Sequence, residues 1–181
     1  MRKKRSLRIP IGFLGGLLFL WRAKPTPAGF VIGTALIVLG EAIRFISHGT
    51  LRKNKGVISQ KGIYAYTRNP LYIGSFLIGI GACVMGMDLL FTVLFLVFFI
   101  PLYSHVIIRE ERFLALQFGE EYIRYRDIVP RIIPRRLDVR EVMRETSSTL
   151  AFRNREGKTM IGIAAVLIIM IVKMLYSSPL P

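Results

Sequence analysis

Two short runs carry the residue types that can do chemistry in this chain. The first is Arg68-Asn69-Pro70-Leu71-Tyr72-Ile73-Gly74, and the second is Arg109-Glu110-Glu111-Arg112. They lie about equally far on either side of Gly86-Met87-Asp88, which separates two apolar segments. If both segments are helices, the chain folds back at that turn and brings Arg68 beside Glu110. A guanidinium and a pair of carboxylates then meet at one membrane surface. Such a site can hold a zwitterionic small molecule. Adjacent positions on a helix are about 100° apart, so one glutamate can face a cavity while the other meets a neighbour. Carboxylates at membrane depth are expensive and mark candidate functional positions. The plainer alternative is a set of interfacial charges balanced by Arg109 and Arg112.

The surroundings add candidates. Tyr64, Tyr66 and Tyr72 could form an interfacial aromatic belt or stack on a flat ring. Gly62 and Gly74 could leave backbone room beside a ligand. Gly74, Gly79 and Gly81 could equally be a helix-packing face. Glu41 and Arg44 are spaced to pair with one another along a helix, as a structural pair or as part of the lining of the same cavity. His105 stands one turn before Arg109, as an interfacial residue or a cavity residue, whereas His48 is given no role. Cys83, inside an apolar run, is the sole cysteine, so neither an internal disulfide nor a thiolate metal site is expected. The two histidines are far apart, and no metal ligand set is expected.

Composition constrains the elements that must position these residues. The chain has 181 residues, 52% of them hydrophobic, with a formal charge of +15 and a mean hydropathy of +0.48. A membrane protein with basic loops combines those properties more readily than a soluble basic one. Nucleic-acid binding is the other usual source of such charge. Here the basic residues sit between apolar runs, so no nucleic-acid partner is expected. The basic start has no small-residue cleavage site after its first apolar run, so no cleavable signal is expected.

Five apolar stretches stand out, at 9–21, 26–45, 71–86, 89–108 and 159–176. A span needs roughly 20 apolar residues, which makes the second and fourth secure and the first the weakest. Of the 26 Lys and Arg, only Arg22, Lys24 and Lys173 lie outside the N-terminal segment, the 44–68 loop and the 109–158 segment. Those three segments are expected on the cytoplasmic side and the C-terminus outside. Arg68 and Glu110 then share the cytoplasmic face. The fold class expected is all-α: a polytopic helical membrane protein with about five transmembrane helices and a cytoplasmic pocket.

Beyond residue 108 the helix should continue through Phe113, Leu114, Leu116 and Phe118 and stop at Gly119. Glu120 and Glu121 open a short helix with Arg124 and Arg126 near its end, matching the dipole. The strip 128–135 is punctuated by Pro130 and Pro134 and cannot be helical throughout. It suits the headgroup boundary. Residues 136–153 read as a charged surface helix or linker, and Asn154 as a cap for the fifth span, with Glu156 in its first turn.

The ordered set of these motifs resembles the isoprenylcysteine carboxyl methyltransferase and phospholipid methyltransferase superfamily. Residues 62–74, Glu110-Glu111, Phe118-Gly119-Glu120-Glu121-Tyr122, Tyr125 and Val129-Pro130-Arg131 carry the likeness. It covers 56 to about 135 and leaves the first two spans and 136–181 outside. It implies a methyltransferase core over 56–135; the apolar runs and charges divide the rest into two N-terminal spans (1–55), a cytoplasmic linker (136–158) and a C-terminal span (159–181).

The likeness further implies an integral membrane enzyme that uses S-adenosyl-L-methionine and a lipophilic acceptor drawn from the bilayer. The cofactor-binding residues it implies are Tyr64, Arg68, Asn69, Tyr72, Gly74, Glu110, Glu111 and Tyr122. Arg68 would take the carboxylate as a planar bidentate donor, and a glutamate the ammonium or ribose hydroxyls. Methyl transfer needs no metal and no covalent enzyme intermediate. Positioning and desolvation can be worth ~7–11 kcal/mol in favourable cases. An amine acceptor would need a base, such as Glu110 or His105. A carboxylate acceptor would need a cation to orient it, such as Arg131. Asn69 stands where the carboxyl methyltransferases have His, and Asn cannot titrate. A lipid-amine N-methyltransferase and a non-catalytic membrane relative are the alternatives. A transporter would need more intramembrane charge and paired repeats.

Overall fold

The structure, a computed structural model, describes residues 8–51, 58–154 and 156–177. The basic residues of 1–7 and 52–57, on which part of the orientation argument rests, lie outside these. Among the described residues every regular element is helical. The apolar helices are α1 (Arg8–Arg22), α2 (Pro27–Thr50), α3 (Pro70–Gly86), α4 (Leu89–Phe118) and, at the C-terminal end, a helix over Glu156–Ser177. Between α4 and that last helix come α5 (Glu120–Ile128), α6 (Val139–Arg144) and α7 (Ser148–Arg153), so the last is α8. A 3₁₀ turn over Gly62–Ala65 precedes α3.

The spans follow the apolar stretches of the sequence closely. Pro27–Thr50, Leu89–Phe118 and Glu156–Tyr176 are each long and apolar enough to cross a membrane, and Pro70–Gly86 is a shorter apolar helix. Their outward faces keep large apolar side chains exposed, among them Val31, Val97, Phe98 and Ile168. In a bilayer such faces meet hydrocarbon. Local chemistry sets the ends. Thr26 accepts from the Gly29 N–H at the start of α2. Pro70 occupies the first turn of α3, where its missing N–H costs nothing. Asp88 accepts from the Phe91 N–H at the start of α4, after Met87 has closed α3 in the left-handed region at φ 49°.

α2 and α3 pack most closely, antiparallel and through glycine. A methyl group placed on Gly74 would sit 2.5 Å from the Gly40 carbonyl, and one on Gly81 would sit 2.8 Å from the Gly33 carbonyl. Small residues let two backbones approach where apolar burial gives no drive. Gly74 is thus part of this seam, and a side chain there would also strike Arg44. Gly62 likewise serves the chain path: its φ is +56°, and a side chain would meet Thr50. Neither glycine gives backbone room to a ligand.

α4 has 30 residues, or ~45 Å at the standard rise, against a hydrocarbon thickness of ~30 Å. Its final turns therefore project beyond the bilayer and carry Glu110 and Glu111 with them. Gly119, at φ 54°, ends it as expected, and α5 turns back. Tyr122, Tyr125 and Val129 then pack with Ile58 into a small buried cluster beneath the projecting end of α4. The 136–153 region forms two short helices, α6 and α7, rather than one. Asn154 does not cap α8. It ends α7, and its amide donates to the His48 and Leu51 carbonyls at the end of α2.

Candidate functional site

Residues 67–69 are held by the proline-punctuated strip, which runs against them as well as along the expected headgroup boundary. The Arg68 N–H donates to the Pro130 carbonyl at 3.0 Å, and Thr67 Oγ1 donates to Ile132 O at 2.8 Å. Asn69 Nδ2 donates to Arg131 O at 3.1 Å. Asn69 is buried, and its amide also reaches Glu111 Oε1 at 3.5 Å, so it ties the strip to the glutamate.

The hairpin brings the arginine and the glutamates together, with one change of partner. Arg68 meets Glu111, Nη1 to Oε1, at 3.4 Å; their side chains are 9% and 11% exposed. Glu110, one helical step away, accepts from the Tyr72 hydroxyl at 2.6 Å. Glu111 also receives Arg131 through two bonds, Nε at 3.1 Å and Nη2 at 2.8 Å. Arg131 is thereby held as a partner of Glu111, and that bond keeps its guanidinium above its ordinary pKa. Arg68 Nε is buried and makes no hydrogen bond, while Nη1, also without a hydrogen bond, meets Glu111 as an ion pair.

A cleft of about 220 Å³ opens beside these groups. Tyr64, Arg68, Asn69, Tyr72 and Glu110 line it, together with Arg44, His48 and Ser75. Tyr122 stands behind Arg68, almost fully buried. Tyr125 donates from its hydroxyl to the Tyr64 carbonyl at 2.7 Å, fixing the 3₁₀ turn. Burial raises the Tyr64, Tyr122 and Tyr125 phenols above their ordinary range, with Glu110 adding at Tyr64 and Glu111 at Tyr122. At neutral pH all three are hydrogen-bond donors and not bases. Tyr66 points elsewhere, onto Glu141 of α6 at 2.5 Å. His105 borders a separate hollow with Arg109 and Phe113, which shares Glu110 with the cleft.

An apolar groove of about 280 Å³ lies alongside, between α3 and α4. Phe76, Phe99, Ile107 and Ile132 line it, and it shares Tyr72 and Tyr103 with the polar cleft. The shared wall is rigid: Phe99 stacks on Tyr103 at 3.9 Å, and Tyr72 meets Tyr103 edge to face at 5.4 Å. A polar cleft and an apolar groove thus meet at two tyrosines.

The sequence reading allowed the Glu41–Arg44 pair a place at the cavity but gave His48 none; Arg44 and His48 both line the cleft. Arg44 is only 3.8 Å from Glu41, and its principal partner is Glu156 of α8, at 2.8 Å. His48 Nε2 lies 2.8 Å from the same carboxylate. Glu41, Arg44 and His48 fall on one helical face at spacings of three and four. That pattern in an apolar helix was the available signal. Nothing local in the sequence points to Glu156.

The phospholipid methyltransferase family model matches residues 28–121, more than half of the chain, and the chain belongs to that family. Over 105 residues it is 30% identical to a protein-S-isoprenylcysteine O-methyltransferase of Schizosaccharomyces pombe, covering 58% of this chain and 44% of that protein. It is 31% identical over 115 residues to the protein of the same name from Saccharomyces cerevisiae, covering 58% of this chain and 48% of that one. The chain spans less than half the length of either relative. No solved structure matches. The family and the apolar helices together make this an integral membrane protein.

Proposed function

We propose that the protein is a membrane methyltransferase that takes S-adenosylmethionine in the polar cleft and a lipophilic acceptor in the apolar groove. The observation that carries this is the shared Tyr72–Tyr103 wall, which lets a polar donor and a greasy acceptor meet at one point. The family and the two O-methyltransferase relatives support it.

The residues of the cleft suit a zwitterionic donor. Arg68 lines the cleft with a buried Nε–H that makes no hydrogen bond, and its guanidinium suits a carboxylate. Glu110, already hydrogen-bonded to Tyr72, supplies the anionic side for an ammonium. Tyr64 and Tyr72 offer ring faces for a flat base. Asn69 and Tyr122 support Arg68 from behind, and Glu111 orients both Arg68 and Arg131. When bound, the donor supplies a methyl group activated by its sulfonium. The protein's share is to hold the acceptor in line, exclude water and accept charge, which needs neither a metal nor a covalent intermediate. The groove walls of Phe76 and Phe99 hold the lipid chain. By the charge asymmetry, the cleft faces the cytoplasm and the C-terminus lies outside. The methyltransferase core is residues 56–135, flanked by spans at 1–55 and 159–181 and the linker at 136–158.

The relatives' names favour an isoprenylated cysteine carboxylate as acceptor. The family description and Glu110 at the junction favour a phospholipid amine. Purified protein incubated with methyl-tritiated S-adenosylmethionine separates the two. Base-labile label on a farnesylated cysteine identifies the ester, and base-stable label in phosphatidylethanolamine identifies the amine. Failure to label either, in folded protein, counts against methyl transfer.

A further inference from the structure

We infer that Glu156, on α8 and outside the family-matched segment, is a positioning residue for the donor cleft, acting through Arg44 and His48. This rests on the cleft being the donor site. The Glu156 side chain is 2% exposed, so it meets no ligand itself. Its Oε1 accepts from Arg44 Nε at 2.8 Å, and its Oε2 from Arg44 Nη2 at 3.2 Å. Oε2 also faces His48 Nε2 at 2.8 Å. Arg44 is fixed from its other side by Ser75 Oγ at 2.7 Å. Arg44, His48 and Ser75 all line the cleft.

One carboxylate thus orients two cleft side chains that stand one helical turn apart on α2. Glu41 does not compete for the role. It is 3.8 Å from Arg44 Nε, and both of its oxygens are buried without a hydrogen bond. A carboxylate behind a histidine fixes tautomer and ring angle together.

Holding α8 to α2 does not require this arrangement. Further along α8, Ile163, Val166, Leu167 and Met170 pack with apolar side chains that include Ile37 of α2. A buried ion pair is seldom more stabilising than such packing. The charges at the cleft end are therefore explained by what they orient.

The test measures the affinity of the full chain for S-adenosylhomocysteine by calorimetry. Glu156→Gln, Glu156→Asp and, as a structural control, Asp88→Asn at the far end are compared with wild type. Each is first shown to be folded by its elution and thermal midpoint. Glu156→Gln should weaken binding by up to about a hundredfold, the scale of an ångström-sized misplacement. Glu156→Asp keeps the charge and shortens the reach, so it should fall between, and Asp88→Asn should match wild type. If Glu156→Gln does not fold, Glu156→Asp decides alone. Wild-type affinity in folded Glu156 variants overturns the inference and leaves the proposed function standing. No binding by folded wild type overturns both.

Discussion

The two ends of the helical assembly use charge differently. At one end an ion pair, Arg22 to Asp88 at 2.8 Å, joins α1 to the hairpin turn, with the arginine side chain 44% exposed. At the other end Arg68 and Arg44 line a cleft, and their partners Glu111 and Glu156 stand largely buried behind them. The first pair is a surface clamp, whose worth is small and screened. The second set is expensive to desolvate, and apolar residues would fold the chain as well. Cost without a folding benefit separates a working end from a structural one.

Substitutions can break that contrast. Arg68→Ala should have the largest effect, because it removes a charged hydrogen-bond donor worth about 1.5–3 kcal/mol, or roughly ten- to a hundredfold in donor affinity. Glu111 keeps Arg131 as a partner, so the variant should stay folded. Glu111→Gln should lower both donor affinity and thermal midpoint, since two arginines lose their carboxylate. Phe99→Ala should raise KM for the acceptor more than it weakens donor binding, at a stability cost of about 0.5–1.5 kcal/mol for each lost ring contact, with Phe76, Phe95 and Tyr103. Arg131→Ala removes a half-exposed guanidinium and leaves Glu111 paired with Arg68, so it should cost about 1 kcal/mol of stability. It should reduce turnover with a carboxylate acceptor more than with an amine.

The far end should give the smallest response. The Phe91 N–H, with Arg22, holds the Asp88 carboxyl below its ordinary range. A folded pKa below the unfolded one stabilises above the ordinary carboxylate range and is lost as pH falls through the lowered value. Asp88→Asn should therefore remove a small acid-sensitive part of the thermal midpoint and leave methyl transfer untouched.

The apolar helices and the Arg68–glutamate encounter were legible because apolar runs, Asp88 and Gly119 act locally. Which glutamate meets Arg68 was not, because a helix's rotation is set by its neighbours: Glu111 turns to Arg68 and Arg131, and Glu110 to Tyr72. Gly74 carried two meanings in one sequence, and only the approach of Gly40 decides for the seam. Asn154 has the residue type and place of a cap for α8, yet it bonds carbonyls far back in the chain. Glu156 and Arg44 are separated by 112 residues, beyond any local signal.

The central claim is that the Arg68 end holds a sulfonium nucleoside donor. Calorimetric titration of folded wild type and Arg68→Ala with S-adenosylhomocysteine tests it most directly. The account predicts saturable binding near one per chain for wild type and a loss of at least about tenfold in the variant. Equal affinity in the two, or no binding by folded wild type, would contradict it.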